Sequence, residues 1–385
     1  MDRRVLLISS NSSERGGGER FLIYLTLGLR RLGTEVHVLL STVPYMDGWA
    51  TALGDVGAIV ERENLKGLRD RRFRFVGALA DGRQRARIAN VCRSLSPDLI
   101  LVSQQYDEDG LEYLAGALDA GVAPVCGFMH MPMTYNKNRR PLGRLRGAVL
   151  SRWYSAHPYK LILPSSGGQQ EFESYYPAPR PTRVVHHGCV FIDRKIAARS
   201  PFPTSGYQGG PIIAFAGQLV FQKNIPLLLD AWLLANARGA ACRLLLIGDG
   251  PDRGMIEERL RGEAPAGTWH IAGWQSDPGP YLALADLYIM TSRFEGLPLA
   301  LIEAAGSGIP CVVTPFNGAL DVAEKASWVK IAADHSSSSV AKTLEHVLAH
   351  LAAFRAEAAA GSEDFRAHFS PERMARDVLD EALPC

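Results

Sequence analysis

Short, continuous apolar runs separated by helical patterns are the feature that most constrains the fold of this 385-residue chain. The runs stand at residues 5–9, 99–102, 124–129, 161–163, 212–217, 244–247, 287–290 and 311–313, and a further strand is expected at 35–40. Runs of this kind are typical of parallel strands buried on both faces. Their alternation with helical segments predicts an α/β fold of doubly wound parallel sheets. Ligands of such sheets lie beyond the carboxyl ends of the strands.

The length predicts two domains, because 385 residues exceed what one hydrophobic core usually serves. The proline- and glycine-rich segment 200–211 is the best linker candidate, and the boundary is expected within 190–211. The Ser-Pro-Glu-Arg sequence at Ser370 fits an N-cap followed by proline at the first helical position. The predicted division is a first domain at 1–195, a second at 206–368, and a terminal helix at 369–385.

Composition favours a globular enzyme over a membrane or disulfide-rich protein. The chain is 47% apolar and 21% charged, and its apolar runs stay below the roughly 18 residues that a membrane span needs. Its start enters a strand directly, so neither a signal peptide nor a membrane span is expected. The six cysteines show no C-x2-C spacing, which argues against a zinc site or a disulfide framework. A reduced, cytoplasmic protein is therefore expected.

Basic residues are concentrated in the first half of the chain. Residues 1–190 carry 25 Lys and Arg against 18 Asp and Glu, or +7, whereas 191–385 carry 17 against 22, or −5. The clusters at 62–74 and 139–152 are either solvated faces or surfaces for an anionic acceptor or an acidic membrane. The second cluster mixes Arg144, Arg146 and Arg152 with Leu142, Leu145, Val149, Leu150 and Trp153. Nucleic acid is not an expected partner, because no known binding motif accompanies the charge.

The stretch that begins with the predicted strand at 287–290 predicts an anion site. The strand is followed by a loop that carries Glu295 and Gly296, and then by a helix that Pro298 opens near its first position. A helix start suits an anionic ligand through its unpaired N–H groups and its dipole, and Gly296 lets the backbone come close. Glu295 and Glu303 flank this start, and carboxylates are good acceptors for sugar hydroxyls. A nucleotide-sugar is the predicted ligand.

Glu295 and Glu303, with seven residues between them, follow a Ser-Arg-Phe sequence and enclose Gly-Leu-Pro. This pattern resembles the E-x7-E signature of the retaining GT-B glycosyltransferases of family GT4. The resemblance implies two Rossmann-like domains that face a cleft, with the C-terminal helix crossing back to the first domain. It implies transfer of a hexosyl group, with retention, from a nucleoside diphosphate sugar to a hydroxyl of a glycan, glycolipid or small molecule. No metal or cofactor is expected, and the implied setting is polysaccharide, glycolipid or glycoconjugate synthesis at the cytoplasmic face of a membrane.

The first domain carries two further features of this family. The predicted loop before a helix from Arg20 to Leu32 resembles the family's Gly-Gly-x-Glu-Arg, which lies near the donor phosphates and the acceptor. It is matched by Gly16, Gly17, Glu19 and Arg20. The alternative is a tight turn without a ligand. His130 follows a predicted buried strand, and it resembles the cleft histidine that approaches the transferred sugar; the alternative is a structural role. His187 replaces the family's usual asparagine.

The second domain departs from the family at one position. The family's Gly-Arg-Leu-x-x-x-Lys-Asn neutralises the donor diphosphate with an arginine and a lysine. Lys223 is present, but Gln218 stands at the arginine position. A hydrogen bond to a charged group is worth about 1.5–3 kcal/mol, so this change weakens donor binding by roughly 10- to 150-fold unless another cation compensates. Arg15 and Arg293 are the expected compensating cations, and a degenerate donor site is the alternative.

The resemblance assigns the remaining roles. Residues expected in catalysis are His130, Glu295 and Lys223. Residues expected at the donor are Gly16, Gly17, Gly217, Gln218, Lys223, Gly273, Trp274, Phe294, Glu295, Gly296, Leu297, Pro298, Leu299 and Glu303. Trp274 is interpreted as core packing in preference to a wall beside the nucleotide base. No separate nucleophile is evident, so a front-face attack is expected. The alternatives are a GT-B nucleotide-sugar epimerase, a glycogen-type synthase, or a non-catalytic sugar-nucleotide-binding subunit.

Overall fold

The structure, a computed structural model, describes residues 3–10, 17–67, 70, 81–132, 143–157, 159–176, 182–196 and 210–383. The chain divides into two compact units. The first unit comprises Met1–Cys189 and Phe369–Cys385, and the second comprises Val190–His368. The predicted fold class, an α/β protein with two doubly wound parallel sheets, is confirmed, and each unit holds one sheet.

The first unit is built on a parallel sheet that has seven strands among the described residues, in the order β3-β2-β1-β4-β5-β6-β7. The strands are β1 Arg4–Ser9, β2 Glu35–Ser41, β3 Ile59–Glu63, β4 Leu99–Gln104, β5 Val125–Met129, β6 Lys160–Leu163 and β7 Thr182–Val184. The direction of winding reverses between β1 and β4, which is the switch point of a doubly wound sheet. Five consecutive residues of β1, from Val5 to Ser9, are buried, which explains the continuous apolar run.

Helices connect these strands. They are α1 Gly17–Arg31, α2 Asp47–Asp55, α3 Gly82–Leu95, α4 Leu111–Ala120, α5 Gly143–Ala156 and α6 Ser166–Tyr175. Helices α3 and α4 contribute Ile88, Cys92 and Leu114 to a core that continues through Ile100 and Leu161 of the sheet. Burial of these side chains against the strands is the main favourable term that holds the layers together.

The second unit repeats the architecture with a parallel sheet of six strands among its described residues, in the order β10-β9-β8-β11-β12-β13. The strands are β8 Ile212–Ala216, β9 Arg243–Ile247, β10 Trp269–Gly273, β11 Leu287–Met290, β12 Cys311–Val313 and β13 Val329–Ile331. The helices are α7 Ile225–Ala237, α8 Arg253–Glu263, α9 Gly279–Leu282, α10 Leu299–Gly306, α11 Ala319–Ala323, α12 Ser337–Ala349 and α13 Leu351–His368. The switch point lies between β8 and β11, so the carboxyl ends of these strands are the expected ligand edge.

The last helix, α14 Pro371–Ala382, belongs to the first unit and packs against α1. The two backbones approach closely at Gly28: a Cβ added at this position would lie 2.0 Å from the Pro371 carbonyl oxygen. The Ser370 side chain caps the helix by accepting a hydrogen bond from the Arg373 N–H at 3.2 Å. The cap and the proline at the helix start are therefore as predicted.

Two predicted boundaries differ from the structure. Helix α1 begins at Gly17, and not at Arg20, because the glycines at its start adopt helical geometry although their propensity for helix is low. The first domain was predicted to extend to residue 195, but the first unit stops at Cys189. Within the second unit, Ile192 donates its backbone N–H to Ser307 Oγ at 2.9 Å, which holds the start of the unit against the end of α10. Of the predicted linker, 200–209 lies outside the described residues.

None of the helices in the described ranges combines the length and the apolar character needed to cross a membrane. Among the residues that the structure describes, five cysteines are buried and none of them forms a disulfide: Cys92, Cys126, Cys189, Cys242 and Cys311. Burial raises the pKa of Cys92 to about 12, so this thiol stays protonated at neutral pH.

Candidate functional site

The predicted anion site lies at the start of α10, beyond the carboxyl end of β11. The loop between them ends at Pro298, which has extended backbone geometry and is the N-cap of α10. Pro298 therefore precedes the helix, and Leu299 is its first residue, one position later than predicted. The N–H groups of Leu299 and Ala300 have no carbonyl four residues earlier within the helix to donate to, so this end suits an anion.

The side chains around the helix start are mostly sequestered. Glu295, Leu297, Leu299 and Glu303 are buried, whereas Phe294 is half-buried. Leu297 and Leu299 pack inward, so any contact from these two positions to a ligand comes from their backbone. The carbonyl oxygen of Gly296 approaches residue 318 so closely that a Cβ at Gly318 would lie 2.2 Å from it.

Lys223 and Glu295 form an ion pair at this site. Their Nζ and Oε1 atoms are 2.6 Å apart, and the side chains are 16% and 8% exposed. Lys223 ends a 3-10 turn, Phe221–Lys223, that follows β8. The structure thus brings together two predicted site residues that are 72 positions apart in the chain.

Hydrogen bonds join the loop that carries Lys223 to the loop that carries Glu295. The Arg293 N–H donates to the Gln222 carbonyl at 2.8 Å, and Gln222 Nε2 donates to the Phe294 carbonyl at 3.1 Å. Thr291 Oγ1 donates to the Lys223 carbonyl at 3.2 Å. These bonds fix the two backbones relative to each other, so the ion pair rests on an ordered frame.

Both glutamates of the E-x7-E pattern lie near the same buried tyrosine. Burial raises the pKa of Tyr288 well above its ordinary value, and the charges of Cys311, Glu295 and Glu303 raise it further. The Tyr288 hydroxyl donates to the Ala216 carbonyl at 3.3 Å. The two carboxylates therefore belong to one region of the second unit, as the pattern predicts.

Three glycines line the carboxyl ends of adjacent strands beside this region. A Cβ at Gly217 would lie 3.6 Å from Lys223 Cε, and a Cβ at Gly248 would lie 1.9 Å from the Gly217 carbonyl oxygen. The Gly248 N–H donates to the Gly273 carbonyl at 2.8 Å. All three have positive φ, which disfavours a side chain at each position, and at Gly248 a side chain is also excluded sterically. This edge of the sheet presents backbone to a ligand.

Arg293, a candidate to replace the missing family arginine, is engaged by residues of its own unit. Its guanidinium lies 4.4 Å from the centroid of the Phe221 ring and donates to Asn224 Oδ1 at 2.7 Å. The guanidinium thus lies against the 3-10 turn, and its compensation for Gln218 stays a prediction. Gln218 itself is half-buried beside Gly217. Arg15 and Gly16 lie outside the described residues.

Two other predicted positions differ from expectation. Trp274 is 48% exposed, so its interpretation as core packing is wrong. It follows Gly273 at the end of β10, where the chain leaves the sheet and the ring stays at the surface. Gly17, predicted in a loop, is the exposed first residue of α1.

His130 lies beyond the end of β5 in the first unit and is buried. Its Nε2 is 2.9 Å from Ser103 Oγ, and its Nδ1 is 3.2 Å from His187 Nε2. Burial lowers the pKa of His130 well below its ordinary value, and His187 lowers it further, so the ring is neutral at neutral pH. A Cβ at Gly18 would lie 3.2 Å from His130 Cδ2, so the start of α1 covers the ring.

Sequence reasoning singled out His130 but missed the partners that orient it. Ser103 stands near the end of the buried strand β4, and a hydroxyl at that position is the available signal. The replacement of the family asparagine by His187 was noted, but spacing does not show that two histidines meet 57 residues apart. No group of three or more metal-binding side chains occurs within the ranges that the structure describes.

The fold and the site define a class. Two doubly wound parallel-sheet units with an acidic, glycine-lined ligand edge in the second are the GT-B architecture of glycosyltransferases. Residues 15–190 match the family described as Glycosyltransferase Family 4, and residues 210–350 match the one described as Glycosyl transferases group 1. Together these matches cover most of the chain, and the chain belongs to this family of glycosyltransferases.

Curated relatives match parts of the chain. The lipopolysaccharide core biosynthesis glycosyltransferase LpsE of Rhizobium meliloti is 32% identical over 108 residues, which are 28% of this chain and 31% of LpsE. The amylovoran biosynthesis glycosyltransferase AmsD of Erwinia amylovora is 32% identical over 96 residues, which are 25% of this chain and 27% of AmsD. The chain thus spans less than a third of the length of these relatives in each match.

Solved structures match the whole chain in fold. HepE of Anabaena, in complex with UDP and glucose, has a TM-score of 0.73 at 17% identity, with 99% of both chains covered. Sucrose-phosphate synthase of Thermosynechococcus elongatus has a TM-score of 0.73 at 16% identity, with 98% of both chains covered. At these identities the likeness shows the fold alone.

Proposed function

We propose that this protein is a retaining glycosyltransferase that moves a sugar from a nucleoside diphosphate sugar to a hydroxyl of a glycan, glycolipid or small molecule. The observation that carries the proposal is the Lys223–Glu295 ion pair at the start of α10, with Glu303 in the same region. A cation, helix amides and two carboxylates are the groups that a diphosphate and sugar hydroxyls require. The names of LpsE and AmsD support a role in polysaccharide or lipopolysaccharide synthesis.

Each group has a role in the proposed reaction. The amides of α10 and Lys223 take the negative charge of the departing diphosphate. Glu295 holds the sugar, and Glu303 accepts hydrogen bonds from the ribose hydroxyls. The glycine edge at Gly217, Gly248 and Gly273 lets the nucleotide approach the backbone. The UDP and glucose held by HepE support this class of donor.

A donor screen tests the proposal directly. We expect one of the UDP-, GDP- or ADP-sugars to raise the unfolding temperature of the protein. Glu303→Ala is expected to weaken nucleotide binding, and Glu295→Ala mainly to lower turnover. Wild-type kinetics in both variants would remove the assignment of these residues.

The same preparation separates the rival activities. Incubation with the donor and no acceptor converts the donor if the protein is an epimerase. Binding without turnover, in the presence of crude acceptor lipids and glycans, is the behaviour of a non-catalytic subunit. Either result would contradict transfer as the function.

Two further features of the proposed reaction, retention of the anomeric configuration and independence from a metal ion, can each be measured separately. The anomeric configuration of the product, read by NMR, is expected to equal that of the donor. The charge of the leaving group is assigned to Lys223 and to helix amides, so we expect turnover to survive EDTA. Inversion, or loss of turnover that Mg²⁺ restores, would contradict these parts.

We also propose contact with an anionic membrane through helix α5, which places the protein at the inner face of a membrane. Leu145 and Val149 are 61% and 36% exposed on this helix, and Arg152 is exposed beside them. Arg146 lies elsewhere, because it pairs with Glu108, and Leu150 is buried. An apolar strip with adjacent basic charge is typical of a helix that lies on a membrane surface.

Vesicle sedimentation tests the membrane contact. We expect binding to vesicles that contain phosphatidylserine and loss of that binding in Leu145→Glu/Val149→Glu. Ile59→Glu changes another exposed apolar residue of the first unit and is the matched control. Equal sedimentation of all three proteins would contradict this proposal and leave the transfer reaction unaffected.

A further inference from the structure

The two side chains that the proposed donor needs already form an ion pair with each other. Lys223, the cation for the diphosphate, and Glu295, the acceptor for the sugar, are 2.6 Å apart and largely buried. A buried ion pair is costly to break, because removal of one partner leaves the other charge uncompensated. Donor binding at this site therefore has to supply new partners to both side chains.

The two loops carry one cation besides Lys223. The charged side chains of residues 217–224 and 291–299 are Lys223, Arg293 and Glu295. Arg293 is held by Phe221 and Asn224. Gln218 is neutral where the family pattern has an arginine. The three charges sum to +1, and Lys223 is the cation that a carboxylate holds, so its release from Glu295 exposes further positive charge to a diphosphate.

Hydrogen bonds between the two loops limit how the Lys223–Glu295 ion pair can rearrange. The hydrogen bonds from Arg293 and Gln222 fix the two backbones, so the exchange is confined to side chains. Rotation of the Glu295 carboxylate away from Lys223 Nζ is enough to free the cation. A sugar hydroxyl is a suitable new donor for the carboxylate, and a phosphate oxygen is a suitable new partner for the ammonium group.

We propose that donor recognition is an exchange of this ion pair, in which a sugar hydroxyl replaces Lys223 on Glu295 and thereby releases Lys223 to the diphosphate. The inference rests on the proposed function and adds a coupling between the two halves of the donor. A nucleoside diphosphate without its sugar leaves the pair closed and binds weakly. The protein thus selects the intact donor and releases the nucleotide product once the sugar has left.

The test compares affinities for a nucleoside diphosphate and for the matching sugar nucleotide, with the base that stabilises the protein most. Isothermal titration is applied to the wild type, Glu295→Gln, Lys223→Met and the double variant. In the wild type we expect the sugar nucleotide to bind more tightly. In Glu295→Gln we expect the bare diphosphate to bind roughly tenfold more tightly than in the wild type, because Lys223 is free.

The double variant separates exchange from simple charge repulsion. If Glu295→Gln acts by releasing Lys223, its gain in diphosphate affinity disappears when Lys223 is already Met. The same gain in both backgrounds would mean that Glu295 only repels the phosphate, and this would overturn the exchange. Unchanged or weaker diphosphate binding in Glu295→Gln would overturn it as well.

Glu345→Gln is the matched control. Glu345 pairs with Arg238 at 3.3 Å in the same unit, so this variant makes the same chemical change in an ion pair away from the site. We expect wild-type affinities for both ligands. If sugar nucleotides bind but the ratio of affinities is the same in every variant, the exchange fails and the proposed function stands. If no nucleotide or sugar nucleotide binds to any variant, both fail.

Discussion

The ligand edges of the two sheets carry different chemistry. In the first unit, beyond β5, His130 is a neutral ring whose two nitrogens are engaged by Ser103 and His187. In the second unit, beyond β8 and β11, Lys223 and Glu295 are opposite charges that face each other across two tied loops. Both edges follow from one topology, since each sheet reverses its winding at an equivalent strand.

The difference teaches that the fold provides the location and the loops provide the chemistry. A neutral, covered histidine suits short-range hydrogen bonding, whereas a charged pair at a helix start suits an anionic ligand. Because the two units have the same architecture, variants at one edge can be compared directly with variants at the other.

The largest effect is expected from loss of the cation in the second unit. Lys223→Met removes the charged hydrogen bond that we propose to the diphosphate, so we expect kcat/KM to fall by roughly 10- to 150-fold. Steady-state kinetics with the identified donor measure it. Arg238→Met removes an exposed cation of the same unit and is expected to retain activity. A wild-type rate for Lys223→Met would mean that the charge at the edge of the second sheet does not serve the reaction, and the contrast with the neutral edge of the first sheet would lose its meaning.

A similar effect on stability is expected in the first unit. Gly28→Ala places a Cβ 2.0 Å from the Pro371 carbonyl oxygen and forces α1 and α14 apart, at a cost of about 1–3 kcal/mol. Chemical denaturation measures the free energy of unfolding. Gly262→Ala, in α8 of the second unit, meets nothing within 4 Å and is expected to be neutral or stabilising. Equal destabilisation by both variants would show that the close packing of α1 and α14 is not the reason why Gly28→Ala destabilises the protein.

A smaller effect, an increase in the affinity for a nucleoside diphosphate, is expected from Gln218→Arg. The variant restores the cation of the family pattern beside Gly217, so we expect diphosphate affinity to rise roughly tenfold. Titration with the nucleoside diphosphate measures it, and Gln275→Arg, which also adds a cation after a strand of the same sheet, is the control. Loss of turnover in Gln218→Arg would instead indicate that another cation already occupies the space.

The smallest effect is the pH dependence of stability from His130. Because burial holds the pKa of His130 well below its ordinary value, the folded chain excludes a proton that the unfolded chain binds below about pH 6.5. Stability from this residue is therefore present above that pH and falls as the pH is lowered. For one proton the slope is at most about 1.4 kcal/mol per pH unit.

His130→Gln is expected to flatten this dependence between pH 7.5 and pH 5.5, as followed by chemical denaturation. Identical slopes in the wild type and in His130→Gln would mean that His130 takes up a proton in the folded state. The edge of the first sheet would then accommodate a charged side chain, as the edge of the second sheet does.

Much of the fold follows from the sequence because buried parallel strands give short apolar runs. The strand at Leu287–Met290 and the cap at Ser370 were predicted from local patterns and occur in the structure. The start of α1 was not, because glycine has low helix propensity and tertiary packing decides its conformation at Gly17.

The candidate site was predictable by residue type but not by pairing. The E-x7-E pattern identifies Glu295 and Glu303, yet nothing in their spacing shows that Glu295 meets Lys223. Arg293 was expected to serve the ligand, but the exposed ring of Phe221 lies beside it and attracts the guanidinium. Contacts across 72 positions depend on how two loops are tied together, which local sequence does not specify.

The packing of α14 on α1 has a consequence for synthesis of the protein on the ribosome. The partner of a helix that begins at Gly17 is translated only after residue 371, when the whole of the second unit has already been made. The apolar face of α1 must therefore wait through most of translation, whereas the second unit is contiguous in the chain and can complete itself first. The first unit to be translated is thus the last to be completed.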